Sequence, residues 1–129
     1  MPNWAHDNVM DFGLDHVRLN TTRIVACQGA PLTYIDANTA VVAGMSLGSL
    51  GGITAADFSL GNDLSSGRKL TLLPQVIQIT YAGTFDHLAL VDDLHSLLLY
   101  RFAVTAPQPV VGGNTASTPD VSITLTDPV

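Results

Sequence analysis

The sequence contains no glutamate, one lysine (Lys69) and one cysteine (Cys27). Glu and Lys are the usual fillers of exposed helix surface, so their scarcity argues against a helix-rich fold. All 11 acidic residues are Asp, and the charged fraction is only 12%. The surface must be made polar by Thr, Ser, Asn and Asp, which suit strands and turns. Five basic residues against a net charge of −6 exclude the clustered Lys and Arg that phosphate binding requires, so no nucleic-acid partner is expected. Cys27 in "RIVACQG" has no partner for a disulfide and reads as a small buried apolar residue of a protein assembled under reducing conditions. No secretory signal is visible in "MPNWAHDNVMDFG", which carries Asp where an apolar core should be. Residues 39–56 carry no charge, but four glycines with Ser and Thr leave too little hydrocarbon for a spanning helix, so no membrane partner is expected.

What remains is 47% apolar over 129 residues, enough to bury a core in one domain. A helix is predicted over 4–19, capped by Asn3 with Pro2 outside it. On its wheel Asp7, Asp11, Asp15 and Arg18 form a solvated side, while Ala5, Val9, Phe12, His16 and Leu19 face a sheet or a neighbouring subunit. Short strands follow near 22–28, 40–47, 56–60, 68–73, 76–81, 85–92, 97–105 and 120–126. Gly48, Gly51 and Gly52 punctuate a loop at 48–54, and Gly61, Asn62, Asp63, Ser65, Ser66 and Gly67 make another. Pro107, Pro109 and "VGGNTASTPD" break the chain before the last strand. The fold class is therefore mainly β: an antiparallel β-sandwich with one N-terminal α-helix, a single domain over 1–129 with a helical segment at 1–20 and the sandwich at 21–129.

The stretch "GTFDHLALVDDLHSLLLYRFAV", residues 83–104, gathers Asp86, His87, Asp92, Asp93 and His95. A hairpin turning at Leu94 sets Asp92 opposite Ser96, Leu90 opposite Leu98 and Leu88 opposite Tyr100. Its other face pairs Val91 with Leu97, Ala89 with Leu99 and His87 with Arg101. Both faces are apolar, as in a strand pair buried on two sides. His87 and Asp92 then stand about 16 Å apart on opposite faces, at about 3.3 Å per residue. They cannot close on one ion, whose ligands sit at about 2–2.5 Å. Turn chemistry accounts for Asp92, Asp93 and His95.

No phosphate cradle is present, because "GSLGG" and "VGGN" lack the lysine and the strand-to-helix setting. No Ser sits in a nucleophile elbow, and Cys27 lies mid-strand, where packing outweighs nucleophilic use. Arg68 and Lys69 form the one basic cluster, read either as charges that discourage edge pairing or as a contact for an acidic protein surface. No catalytic residue, metal ligand or cofactor is expected.

The order of "NWAHDNVMD" (3–11), "ADFSLGNDLSSGRKLT" (56–71), "GTFDHLALVDDLHSLLLY" (83–100), "GGNT" (112–115) and the closing "ITLTDPV" resembles a family of small virion structural proteins of tailed bacteriophages. The resemblance implies a non-enzymatic virion component, a capsid decoration (cement) protein that bridges major capsid protein subunits and is often trimeric. It would assemble in the bacterial host cytoplasm. A tail, neck or baseplate accessory protein of the same fold class, or a glycan-binding sandwich adhesin, stands as the alternative. Under the decoration reading the contact residues are Trp4 and Phe12 of the helix, Leu47 and Leu50 of the Gly-rich segment, and Arg68 with Lys69. Leu98 and Tyr100 belong to the expected core.

Overall fold

The computed structural model describes residues 7–41, 43–62, 68–118 and 121–125. The chain opens with helix α1 (Asp7–Asn20) and strand β1 (Arg23–Cys27), followed by a short helix α2 (Tyr34–Asn38) and β2 (Ser46–Gly51). A single 3-10 turn (Ala55–Asp57) leads into β3 (Phe58–Asn62), β4 (Arg68–Leu72) and β5 (Val76–Ile79). The long strands β6 (Gly83–Asp92) and β7 (Leu97–Val110), then β8 (Thr115–Ser117) and β9 (Val121–Leu125), complete it. A six-stranded antiparallel sheet runs β7-β6-β1-β2-β5-β8, and a three-stranded one runs β3-β4-β9. The two pack as a sandwich, so the predicted fold class holds.

Strand β1 is "RIVAC", apolar without alternation, as a strand covered on both faces must be. It lies between β2 and β6, with Ile24 opposite Leu90 and Val25 opposite Ala89. Ile24, Ala26, Leu88 and Leu90 point into the main core, shared with Leu47, Phe58, Leu70, Leu72, Ile77, Phe85 and Leu14 of α1. Val25, Cys27, Ala89 and Val91 point to the other face and form a smaller cluster with Ala37 of α2. Each large side chain buried this way contributes about 1.5–3 kcal/mol, so the main core dominates stability.

Helix α1 turns a different side inward from the one expected. Leu14 is buried and Val17 packs on the main core, whereas His16 and Leu19 are exposed. The i, i+3 pair Leu14 and Val17 outweighs the His16–Leu19 side because both its members are apolar and the turn after it is anchored. Asn20 Nδ2 donates to His16 O at 2.8 Å and Thr21 Oγ1 to Val17 O at 2.6 Å, ending the helix. Arg18 pairs with Asp15 at 2.7 Å. The predicted start of the helix, with Asn3 and Trp4, lies outside the described residues.

Four further expectations are corrected. The strand predicted at 40–47 and the loop at 48–54 are shifted: β2 occupies Ser46–Gly51, and Gly48 sits inside the sheet opposite Ile79. A Cβ at Gly48 would collide with the Gln78 carbonyl oxygen and stand 2.9 Å from Ile79 Cα, so glycine is there for close strand approach. Strand β7 runs through Pro107 and Pro109 to Val110, because it is an edge strand whose outer N–H groups need no partner. Between Pro109 and the last strand, β8 adds three residues opposite β5. Helix α2 was not expected; Thr33 caps it, its hydroxyl accepting from Asp36 N at 3.2 Å.

The 83–104 hairpin exists with another register. Asp92 faces Leu97, Val91 faces Leu98, Leu90 faces Tyr100, Ala89 faces Arg101, Leu88 faces Phe102 and His87 faces Ala103. The turn is longer than expected because the Asp92 carboxylate accepts from Leu94 N at 3.0 Å and His95 N at 3.3 Å, with Ser96 at φ 55 closing it. A bulge opposite Leu90 and Val91 then shifts the pairing again. Within the hairpin, two-sided burial holds for β6 and not for β7. On the edge, Leu98 is half-buried and Tyr100 is 39% exposed, tilted against Phe102 with ring centroids 4.7 Å apart.

Candidate functional site: the outer face and the β6–β7 turn

The polar residues of the hairpin divide into three groups. At the turn, His95 Nδ1 lies 2.6 Å from Asp92 Oδ2. The hydrogen bond from His95 holds the Asp92 carboxyl below the usual carboxylate range, so the ionised group accepts from the ring N–H and two backbone N–H groups. Asp92 is spent on building its own turn.

Asp93 turns the other way. Arg23 donates to it from Nε at 3.2 Å and from Nη2 at 2.9 Å, Tyr34 Oη donates at 2.7 Å, and Thr22 Oγ1 donates at 3.1 Å. Burial alone would raise the Asp93 pKa, but the hydrogen bonds from Arg23 and Tyr34 outweigh it and lower it. The Arg23 guanidinium also reaches Asn38 Oδ1 of α2 and, at 3.5 Å, Ser49 Oγ of β2. One side chain thereby ties β1, β2, α2 and the turn together.

At the far end of β6, Asp86 accepts from Gly29 N at 2.7 Å and lies 2.9 Å from His87 Nδ1. Burial again works upward on Asp86, and the bonds from His87 and Gly29 bring its pKa down. His87 stands opposite Cys27 on the neighbouring strand, so carboxylate, imidazole and thiol follow one another. The thiol is fully buried, and desolvation, with Asp86 second, pushes it up to about 12. A nucleophile must be the thiolate, so Cys27 packs rather than reacts. Among the described residues, no three His, Cys, Asp or Glu side chains are placed to hold a metal ion, and no pocket forms.

Of the sequence-predicted contact residues, the four whose side chains are described lie in two different sheets. Trp4 and the Phe12 side chain lie outside the described residues. Leu47 is fully buried in the main core and Leu50 packs against it, because the segment that holds them is a sheet strand and not a projecting loop. Leu47 therefore cannot be a surface contact. Arg68 and Lys69 are half-buried at the start of β4, opposite Asn62 and Gly61 on one side and Leu125 and Thr124 on the other. β4 is the central strand of its sheet, so these charges do not guard an edge.

Sequence reasoning missed exposed apolar side chains in the β6–β7 turn and in and before α2. Leu94 in the turn is 82% exposed, Leu32 just before α2 is 74% exposed and Ile35 in α2 is 72% exposed. Ile35 and Leu94 each follow a partner of the Tyr34–Asp93 hydrogen bond, which fastens helix and turn side by side. Arg101 Nη1 donates to Pro31 O at 2.7 Å, holding the residue before Leu32 to β7. The neighbouring sheet edge is blunted by the bulge near Leu99, by the irregular pairing between Ala103 and Gln108, and by the two prolines. Thr33 with Asp36 three residues on was the legible sign of α2; the pairing with Asp93, 59 residues from Tyr34, has no local sign.

Compared with known proteins, this chain matches no family model, no curated protein and no solved structure.

Proposed function

We propose that this chain is a structural protein of a tailed-bacteriophage virion: a capsid decoration (cement) protein that binds the assembled major capsid protein lattice and stabilises the head. It acts by contact, with no chemical step. The observation that supports this reading is the exposure of Leu32, Ile35 and Leu94, on segments that the Tyr34–Asp93 and Arg101–Pro31 hydrogen bonds tie to one another and to the sheet. Large apolar side chains held in place on a sandwich surface suit the centre of a protein interface, surrounded by a polar rim of Asp, Asn and Thr. A stable interface buries about 1,200–2,000 Å² in total, so these side chains would form its middle and not its whole extent. Several copies on one particle, as trimers in this proposal, multiply the effect.

The energetic logic is linkage. A protein that binds only the assembled shell lowers the free energy of that state and leaves the free subunits unaffected. Bare heads mixed with the purified protein should gain heat resistance, read as the temperature at which DNA is released. Unchanged heads at saturating protein would contradict the proposal.

A further inference from the structure

The six-stranded sheet has two covers of unequal strength. Its inner face is closed by the three-stranded sheet and α1, through Leu14, Phe58, Leu70, Leu72 and Ile123. On its outer face Val25, Cys27, Ala89 and Val91 are fully buried as well, under Tyr34 and Ala37 of the segment 31–38 together with Met45 and Leu98. That segment buries two small residues, Pro31 and Ala37, with Tyr34 partly buried; Leu32 and Ile35 are exposed. Apolar contact thus does little to hold it. Its ties are polar: Tyr34 to Asp93, Asn38 to Arg23, Pro31 O to Arg101, and Asp36 O to Met45 N at 3.0 Å.

We propose that residues 31–38 form a strap that opens from the outer sheet face while the sandwich stays folded, with the Arg23–Asp93–Tyr34 contact as its clasp. Regions with few buried apolar contacts and exposed polar ties open at lower free energy than the core beneath them. The strap carries Leu32 and Ile35, so its opening would also carry these exposed side chains away from the sheet. The inference does not depend on a virion role.

Cys27 reports on the opening. In the closed state it is fully buried and its pKa is pushed up to about 12. With the strap lifted, the thiol meets water and its pKa returns toward about 8.5. Labelling by 5,5′-dithiobis(2-nitrobenzoate) at mildly alkaline pH then measures the open population. In the wild-type chain the labelling rate should be flat at low urea and faster than global unfolding permits, steepening only as the sandwich unfolds. Asp93→Asn should raise the flat rate by about tenfold without steepening it. Tyr34→Phe should raise it less, and serves if Asp93→Asn does not fold. Leu70→Ala, in the main core on the opposite side, should weaken the sandwich and leave the flat rate unchanged. A rate that rises steeply with urea from the outset, and rises equally in Leu70→Ala, would overturn the strap.

Discussion

Arg23 and Asp93, 70 residues apart in the chain, lie side by side, with the guanidinium Nε and Nη2 each donating to one oxygen of the carboxylate. The two-point contact is made on the outer sheet face, where Tyr34 completes it. It joins the first strand to the turn that closes the longest hairpin, and α2 rests against both.

Removing that contact should have a modest global cost. Both side chains are partly exposed, at 20% and 40%, so solvent screens the pair. Arg23→Gln should lower the unfolding free energy by about 1 kcal/mol, read from the urea midpoint at constant slope. Arg23→Lys should recover little, because an ammonium cannot make the two-point contact or reach Asn38 and Ser49 at once. Full recovery by lysine would show that charge alone matters there.

Acid should weaken the fold through three carboxylates. Asp92, Asp86 and Asp93 all have folded-state pKa values below the ordinary one. A carboxyl lowered on folding contributes stability that is complete above the unfolded value, about 3.9, and is lost as pH falls through the folded value. Thermal midpoints measured from about pH 7 to about pH 3 should therefore fall on acidification. Asp92→Asn should flatten that fall, differing most from the wild-type chain near neutrality and least in acid. A parallel pair of curves would deny Asp92 any linked stability.

Core and edge should separate cleanly within one cross-strand pair. Leu90 is fully buried and Tyr100, opposite it, is 39% exposed. Leu90→Ala should cost about 2–5 kcal/mol, while Tyr100→Ala should cost well under that, about 1–1.5 kcal/mol. Equal losses in chemical denaturation would mean that β7 is covered in solution.

Glycine 48 should tolerate no side chain. Gly48→Ala drives a methyl group into the backbone of Gln78 and Ile79, which cannot rotate away. The strands must separate, at a cost of about 1–3 kcal/mol or more. Gly51→Ala, with open space around it, is the control and should be nearly silent.

The sandwich was legible in the sequence because its strands are marked by composition and turn residues. "RIVAC" and "HLALVD" are apolar on both faces and could be little else than covered strands. Pairing was less legible. The hairpin register depended on Asp92 bonding two backbone N–H groups, which lengthened the turn and displaced every later partner. Gly48 suggested a loop by its residue type, whereas its cause is the close approach of β5, a contact between positions 30 residues apart. The candidate surface was hidden for the same reason. Nothing near Ile35 announces that Asp93, next to Leu94 in the chain, will hold Tyr34 of its helix.

Binding to the assembled shell is the central claim, and sedimentation tests it most directly. Bare heads built from the major capsid protein of the same genome, mixed with the wild-type chain, should carry it into the pellet at a saturable ratio. Ile35→Asp and Leu94→Asp, both at exposed positions that leave the core intact, should fold normally and remain in the supernatant. Wild-type protein that stays in the supernatant, or folded aspartate variants that pellet as well as wild type, would contradict the claim.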